Sequence, residues 1–541
     1  MALIKWVFYK MRNLELPGRS PVVTTNGMAA TSHYLATETA VSVLKKGGNA
    51  MDAAVAACAV QCVVEPGSTG IGGDCFCIYA PNGGTDYVAY NGSGRAAAAA
   101  TKDWYAGQNI KKIELDSPHS VTIPGAVDAW DRLITDHGKM SLADLLKPAI
   151  KFASDGYPIS SRVAFDFARN ADKLKSNDAA ADVFLKDGMP PVEGDVHTQP
   201  KLARSMELIA RNGRDGFYQS EIAEDIVSCL HDLGGLQTLE DFREAKGEYV
   251  TPISARYKGY DVYQCPPNGQ GVIALMLLKL MEKFPRNGNN PINFERIHQE
   301  IEAGKLAYHQ RDAYLADPDQ ANVPVAELLS DENIDRMFAL IKRDGVINNL
   351  PKMNMPAHRD TVYITVVDKD RNACSFINTL FHGFGSGIMA PNSGVMLQNR
   401  GAGFTLEAGH PNVIAPYKRP LHTIIPAMVA KEGRTVMSYG VMGGSYQAFG
   451  HMQFLSRFLD YGVDVQEAMD LPRFFPNSEI DTTEIESAVG ENICAELTKL
   501  GHNIGPASIP IGGSQAIWID HEKGTLTGGS DPRKDGCALG Y

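Results

Sequence analysis

No stretch of this chain is apolar for long enough to cross a bilayer. The longest apolar tract, AAVAACAVQCVV from Ala53 to Val64, is too short and reads as a buried helix. A good secretory signal is also missing. In MALIKWVFYKMRNLELPG, Lys5 and Lys10 interrupt the apolar run and no small-residue cleavage site follows. Met11 stands just ahead of the part that reads as folded, so the residues before it read as a ragged extension, and the expected location is the cytoplasm, away from membranes. Positive charge is not in surplus: 51 Lys and Arg face 63 Asp and Glu, a net charge of -12. That balance excludes nucleic acid as an expected partner, because phosphate contacts need a basic face. Nine cysteines in 541 residues make no disulfide framework. Cys58 and Cys62 sit one helical turn apart, and Cys75 and Cys77 alternate on an expected strand, which suits buried, reduced thiols. No Cys or His pair completes a zinc-finger pattern, and GSTGIGG (Gly67–Gly73) lacks the GK[ST] of a phosphate loop. Neither a metal nor a cofactor is therefore expected. Repeats and low-complexity runs are absent as well.

What is present is a chain with 44% apolar and 21% charged residues, as in a soluble globular protein. Its length gives a prior of roughly two to four domains. ATETAVSVLKKGGNAMDAAVAACAVQCVVEPG, from Ala36, predicts a helix, a stop at Gly47-Gly48, and a second helix from near Asn49 that ends before Pro66. A Gly-rich turn, a strand and its hairpin partner follow through Gly94, and SVTIPG reads as extended. Residues 199–350 read as mainly helical, with an extended excursion at ISARYKGYDVYQCPPNGQG. Beyond Arg359, VYITVVD and ACSFINTLF are strands joined at DKDRN, with Asn372 at the turn exit. AMVAKEG and TVMSYGVMGG are further strands, and a helix runs from about Tyr446 to Tyr461. Strands and helices in both halves predict one layered α+β domain with a helical insert.

In HRDTVYITVVDKDRNACSFINTLFHGFGSG (His358–Gly387), Thr361 opens an apolar strand directly after Asp360. Plain β-propensity accounts for such a threonine. A second account is chemical. A threonine hydroxyl is a poor nucleophile until a base takes its proton, and a threonine that becomes a new N-terminus carries that base as its own α-amine. Amide cleavage by this route also needs aimed N–H donors for the oxyanion. Gly443-Gly444, at the end of a strand and just before a helix, is a suitable turn. Thr379, on the hairpin partner, is placed to orient the nucleophile.

Several segments in order carry a resemblance. They are GGNAMDAAVAA (Gly47–Ala57), VVEPGSTGIGGDCF (Val63–Phe76), SVTIPGAVDAW (Ser120–Trp130) and DTVYITVVDKDRNA (Asp360–Ala373). FGSG (Phe384–Gly387), KRPLHTIIPAMV (Lys418–Val429), GVMGGS (Gly440–Ser445) and SDPRKDG (Ser530–Gly536) follow. From about Gly27 to Tyr541 the sequence resembles the γ-glutamyltransferase family of N-terminal-nucleophile (Ntn) hydrolases, also called glutathione hydrolases. The resemblance implies a four-layer αββα sandwich and a proenzyme that cuts itself between Asp360 and Thr361. Residues 1–26 would form an extension and first strand region, 27–360 the large chain and 361–541 the small chain, held together as one folded unit; a dimer of such units is compatible with it. It implies Thr361 as nucleophile, Thr379 as the orienting hydroxyl, and Gly443 and Gly444 as the oxyanion donors.

The departures from the family pattern concern the donor clamp. Ser93 falls where an Arg is usual, with Arg95 two residues on, and Phe381 replaces an Asn. In QNRGAGF, Arg400 stands for Gln and Gly403 for the Asp that binds the donor's amine; His422-Thr423 replaces Ser-Ser. Losing a carboxylate that pairs with an ammonium, and gaining an Arg, shifts the pocket toward a carboxylate and away from an α-ammonium. Arg95, Arg400, His422, Thr423 and Phe381 are therefore the expected substrate-binding residues. His422 is either a pH-sensitive hydrogen-bonder or a satisfied loop histidine, and Asp74 reads as a turn cap. The family's glutaryl-acylase and oxamate amidohydrolase branches fit this pocket. The expected activity is hydrolysis, or acyl transfer, of an amide next to a carboxylate-bearing acyl chain. A conventional γ-glutamyl donor is the second reading, and a catalytically silent carboxylate binder of the same fold is the third.

Overall fold

The computed structural model describes residues 18–347, 350, 361–477 and 480–541. Two seven-stranded sheets, antiparallel throughout, lie face to face. One runs, edge to edge, Ala538–Gly540, Met28–Ala30, Val362–Val367, Ala373–Thr379, Asp74–Ala80, Val88–Gly92 and Glu248–Val250. The other runs Val22–Thr24, Thr525–Ser530, Gly513–Asp520, Arg434–Met442, Ala427–Lys431, Tyr260–Gln264 and Ile253–Tyr257. Met28, Phe76, Ile78, Tyr363, Ile377, Met428, Met442 and Ile517 fill the space between them. Strands buried on both faces lose the apolar-polar alternation of a half-exposed sheet, which is why VYITVV and ACSFINT do not alternate.

Helices cover both outer faces, which gives the expected αββα layering. Over the first sheet lies Ala50–Val64, buried along its whole length. A helix apolar on every side can be stable only inside a core. Asn49 and Asp52 close a reciprocal capping box at its start, and Asp368 accepts the Ala50 N–H at 3.0 Å, so the helix begins against the turn of the central hairpin. In that turn Asp368 also accepts N–H groups from Asp370 and Asn372. Over the second sheet lie Gly271–Glu282, Phe294–Tyr314 and Tyr446–Tyr461.

The helical middle is not an insert. Its early helices, such as Pro200–Asn212 and Glu221–Asp232, join the core over the first sheet. Its later ones form the opposite layer, and the strands Ile253–Tyr257 and Tyr260–Gln264 between them complete the second sheet. SVTIPG is extended only in part: Ser120 ends a short 3-10 helix, Val121 is extended, Gly125 is helical, and the segment joins no sheet. Cys58, Cys62, Cys75 and Cys77 are buried, and burial pushes the thiols of Cys58, Cys75 and Cys77 well up. Among the described residues no helix is long and apolar enough to cross a membrane.

Candidate active site

Register brings the two threonines together. Val362 pairs with Asn378, which puts Thr361 beside Thr379 at the end of the central hairpin, and Thr379 pairs with Asp74 of the next strand. Both threonines are fully buried, their hydroxyl oxygens 3.3 Å apart. Thr379 Oγ1 also accepts the Phe381 N–H at 2.9 Å, which fixes its rotamer. Asp360, the other half of the expected cleavage site, lies outside the described residues.

Gly443 and Gly444 follow the strand Arg434–Met442 of the facing sheet. Their φ values of +122° and +58° lie in the left-handed region that favours glycine. Neither N–H donates to a described residue, whereas the Gly444 carbonyl accepts from Gln447 N–H at 3.1 Å and Gln270 Nε2 at 3.0 Å. The turn therefore opens helix Tyr446–Tyr461 with its N–H groups at the positive end of the helix dipole. Gln447, in the first turn of that helix, donates from Nε2 to Thr361 Oγ1 at 3.4 Å, while its Oε1 accepts the Ile425 N–H at 3.2 Å. The two sheets thus meet at one hydroxyl.

A second buried group adjoins the first. Gln270 Nε2 also donates to the Thr423 carbonyl at 2.8 Å, and Thr423 Oγ1 accepts from Arg400 Nη1 at 3.1 Å. The Arg400 guanidinium lies over the Phe381 ring, 3.6 Å from its centre, and is fully buried. Among the described residues, its Nε and Nη2 have no acceptor. Burial pulls the Arg400 pKa down to about 9, against the opposing pull of Asp74, so the group remains a cation at neutral pH. Phe381 reaches the guanidinium from a backbone with φ of +82°.

His422 is buried against Asp74, with Nε2 and Oδ2 3.1 Å apart, and its Nδ1 accepts the Ile424 N–H at 3.3 Å. These partners make it a neutral imidazole with its proton on Nε2. Burial first, and the nearby Arg400 second, hold its pKa at about 3. It is therefore a satisfied histidine, not one that titrates near neutrality. Asp74 is more than a turn cap: its Oδ1 accepts from Gly94 N–H, Gly125 N–H and Gln398 Nε2. Ser93, at the position of the family's arginine, accepts from Asn268 Nδ2 at 3.0 Å.

Arg95 is the expected binding residue that the fold does not bring to this group. Its Nη1 donates to the Tyr417 carbonyl at 2.9 Å and its guanidinium pairs with Asp317 and Asp319. Gln447, Gln270 and Asp74 have contacts here that the sequence reading did not assign. Gln447 had a faint local signal, three residues past the glycine pair at a helix start; the other two become visible only through contacts between distant segments.

Two stacked antiparallel sheets between helical layers, with a buried threonine at the end of a central strand, define an Ntn hydrolase. The gamma-glutamyltranspeptidase family model matches residues 36–541, and the chain belongs to that family. Its curated relatives include the glutathione hydrolase-like YwrD proenzyme of Bacillus subtilis, 38% identical over 96% of this chain and 99% of that one. The oxamate amidohydrolase proenzyme of Klebsiella pneumoniae is 32% identical over 96% and 99%. Among solved structures, cephalosporin acylase from Bacillus halodurans superposes with a TM-score of 0.90 at 34% identity, covering 98% of this chain and 99% of that one. The protein is accordingly an enzyme of the hydrolase and acyltransferase kind.

Proposed function

We propose that the protein is an autoprocessing amidohydrolase whose substrates carry a carboxylate, and no α-ammonium, on the acyl chain. Scission before Thr361 frees the α-amine that serves as base. The Thr361 oxygen attacks the amide carbonyl, and the Gly443 and Gly444 N–H groups stabilise the developing oxyanion. The protonated α-amine then returns a proton to the leaving amine, and water resolves the acyl-threonine. Thr379 and Gln447 hold the hydroxyl in line.

The observation that carries the specificity is Arg400: a fully buried cation with two nitrogens lacking an acceptor among the described residues, linked through Thr423 and Gln270 to the oxyanion turn. A buried guanidinium left with open donors favours an anion with paired oxygens, such as a carboxylate. Asp74 offers no counter-clamp for an ammonium, because its oxygens already accept from two backbone N–H groups, Gln398 and His422. The name of one relative, an oxamate amidohydrolase proenzyme, agrees with an anionic acyl group.

The test is a panel of glutaryl anilide, γ-glutamyl anilide, oxamate and glutathione on protein that shows two chains on a denaturing gel. The glutaryl compound or oxamate should be turned over in preference to the γ-glutamyl compounds. Arg400→Gln should cost roughly 10- to 100-fold in kcat/KM on the preferred substrate, the worth of a charged hydrogen bond. A strong preference for γ-glutamyl anilide would refute the specificity, and an unbroken chain the mechanism.

A further inference from the structure

A second set of ligand-type side chains is assembled in the interior, among residues that the proposed chemistry does not use. His298 and Glu302 stand one turn apart on helix Phe294–Tyr314, and His502 lies in the turn after helix Glu491–Leu500. All three are buried, and one ligand atom from each lies within 4.8 Å of the others. His298 Nε2 is 2.6 Å from the Lys342 carbonyl, so that nitrogen carries the proton and Nδ1 presents a bare lone pair. His502 Nε2 is 2.8 Å from this Nδ1. On the other side of the ring, His502 Nδ1 has no hydrogen-bond partner among the described residues and is 3.8 Å from Glu302 Oε1.

A single proton on His502 cannot satisfy both sides. On Nε2 it bonds to His298 but leaves Nδ1 bare and buried, facing a carboxylate. On Nδ1 it faces Glu302 at a distance beyond a hydrogen bond and sets two imidazole lone pairs against each other. Buried acceptors packed against acceptors are costly, and a cation among them removes the conflict.

We propose that His298, Glu302 and His502 bind a divalent transition-metal ion of the zinc class. Two imidazoles and one carboxylate suit zinc, whose ligands stand at about 2.0–2.1 Å, and disfavour magnesium and calcium, which prefer oxygen. A slight spreading of the two rings makes room for the ion. The Lys342 carbonyl already orients His298 as a supporting partner does in metal sites. Glu302 is held by the Ile347 N–H on Oε2, while Lys305 Nζ, 2.8 Å from Oε1, is on a partly exposed side chain that can turn to solvent as the ion enters. His298 and Glu302 precede Thr361 and His502 follows it. On the autoprocessing reading, and only for this consequence, the ion clips the large chain to the small one.

The protein, stripped with EDTA, is dialysed against zinc and its metal content measured by mass spectrometry. Wild type should retain one zinc ion per 541-residue unit, cleaved or not, and gain ~2 °C in melting midpoint on zinc addition. The double variant His298→Asn with His502→Asn should lose both effects. If it does not fold, Glu302→Gln replaces it, and the ligand-field absorption of cobalt-loaded wild type reports the nitrogen ligands directly. Wild type without zinc above background overturns the proposal, and so does zinc retained undiminished in folded variants. Chain cleavage is scored separately on a gel, so failure of the metal site is distinct from failure of the proposed function.

Discussion

At Thr361 a hydroxyl receives two neighbours of different origin: Thr379 from its own hairpin and Gln447 from a helix on the facing sheet. The hairpin partner is written in the sequence, because two strands joined by a short turn have a register that can be counted. Gln447 is not, because its approach depends on how the sheets stack. Its amide is held from behind by Ile425, so on the proposed mechanism it positions the Thr361 hydroxyl without taking part in proton transfer. Gln447→Leu should lower kcat about tenfold at nearly unchanged KM, the effect of one neutral hydrogen bond made to the reacting group. Steady-state kinetics on the preferred substrate measure this, and an unchanged kcat would remove Gln447 from the site. Arg400 and Arg95 make the complementary point. Residue type alone suggested both as carboxylate ligands, but Arg95 has carboxylates of its own and Arg400 is buried with donors to spare.

Among the elements, the strand Arg434–Met442 shows what the facing sheets require of each other. A Cβ at Gly440 would come within 2.3 Å of the Tyr363 ring, two residues from Thr361. Gly440→Ala should therefore force the sheets apart locally and cost about 1–3 kcal/mol, the usual penalty of overpacking. Urea denaturation reads the loss, and a variant as stable as wild type would show that the interface yields freely. Many of the elements were legible. The capped helix after Gly47-Gly48, the hairpin Val362–Thr379 and the glycine turn before Tyr446 follow from periodicity and turn chemistry. The division of the middle helices between two layers was not, since an amphipathic helix says which face it buries and not against what. The interior strands Gly513–Asp520 and Thr525–Ser530 likewise owe their place to partners far away in the chain.

Across the whole molecule, burial governs the response to acid. His33 and His197 are held at about 4, and His422 and His451 at about 3, in each case chiefly by burial. Below about pH 6.5 the unfolded chain takes up protons at these positions that the folded chain refuses, so stability falls as pH drops from 6.5 toward the folded values. Each contributes a slope of about 1.4 kcal/mol per pH unit in that window. Asp531 adds to the loss at lower pH. Burial opposes its ionisation, but Arg473 and Arg533 hold its carboxyl below the usual range, and the stability this gives is lost as pH falls through the folded value. The denaturation midpoint should stay level between pH 7 and 8 and drop steeply between pH 6 and 4. A flat profile down to pH 4 would mean that these histidines are not kept neutral by the fold.

By itself the sequence determined the element order around the site, the threonine that opens the central hairpin, its hydroxyl partner and the glycine pair. Each depends on neighbours a few residues away, through strand register, turn chemistry and the backbone freedom of glycine. Tertiary structure alone decided which arginine keeps open donors, which histidine is neutral, what supports the Thr361 hydroxyl from the second sheet, and that His298, Glu302 and His502 meet. Those properties depend on burial and on groups brought together from distant segments, and a side chain's charge, tautomer and open hydrogen bonds are set by the surroundings that packing gives it.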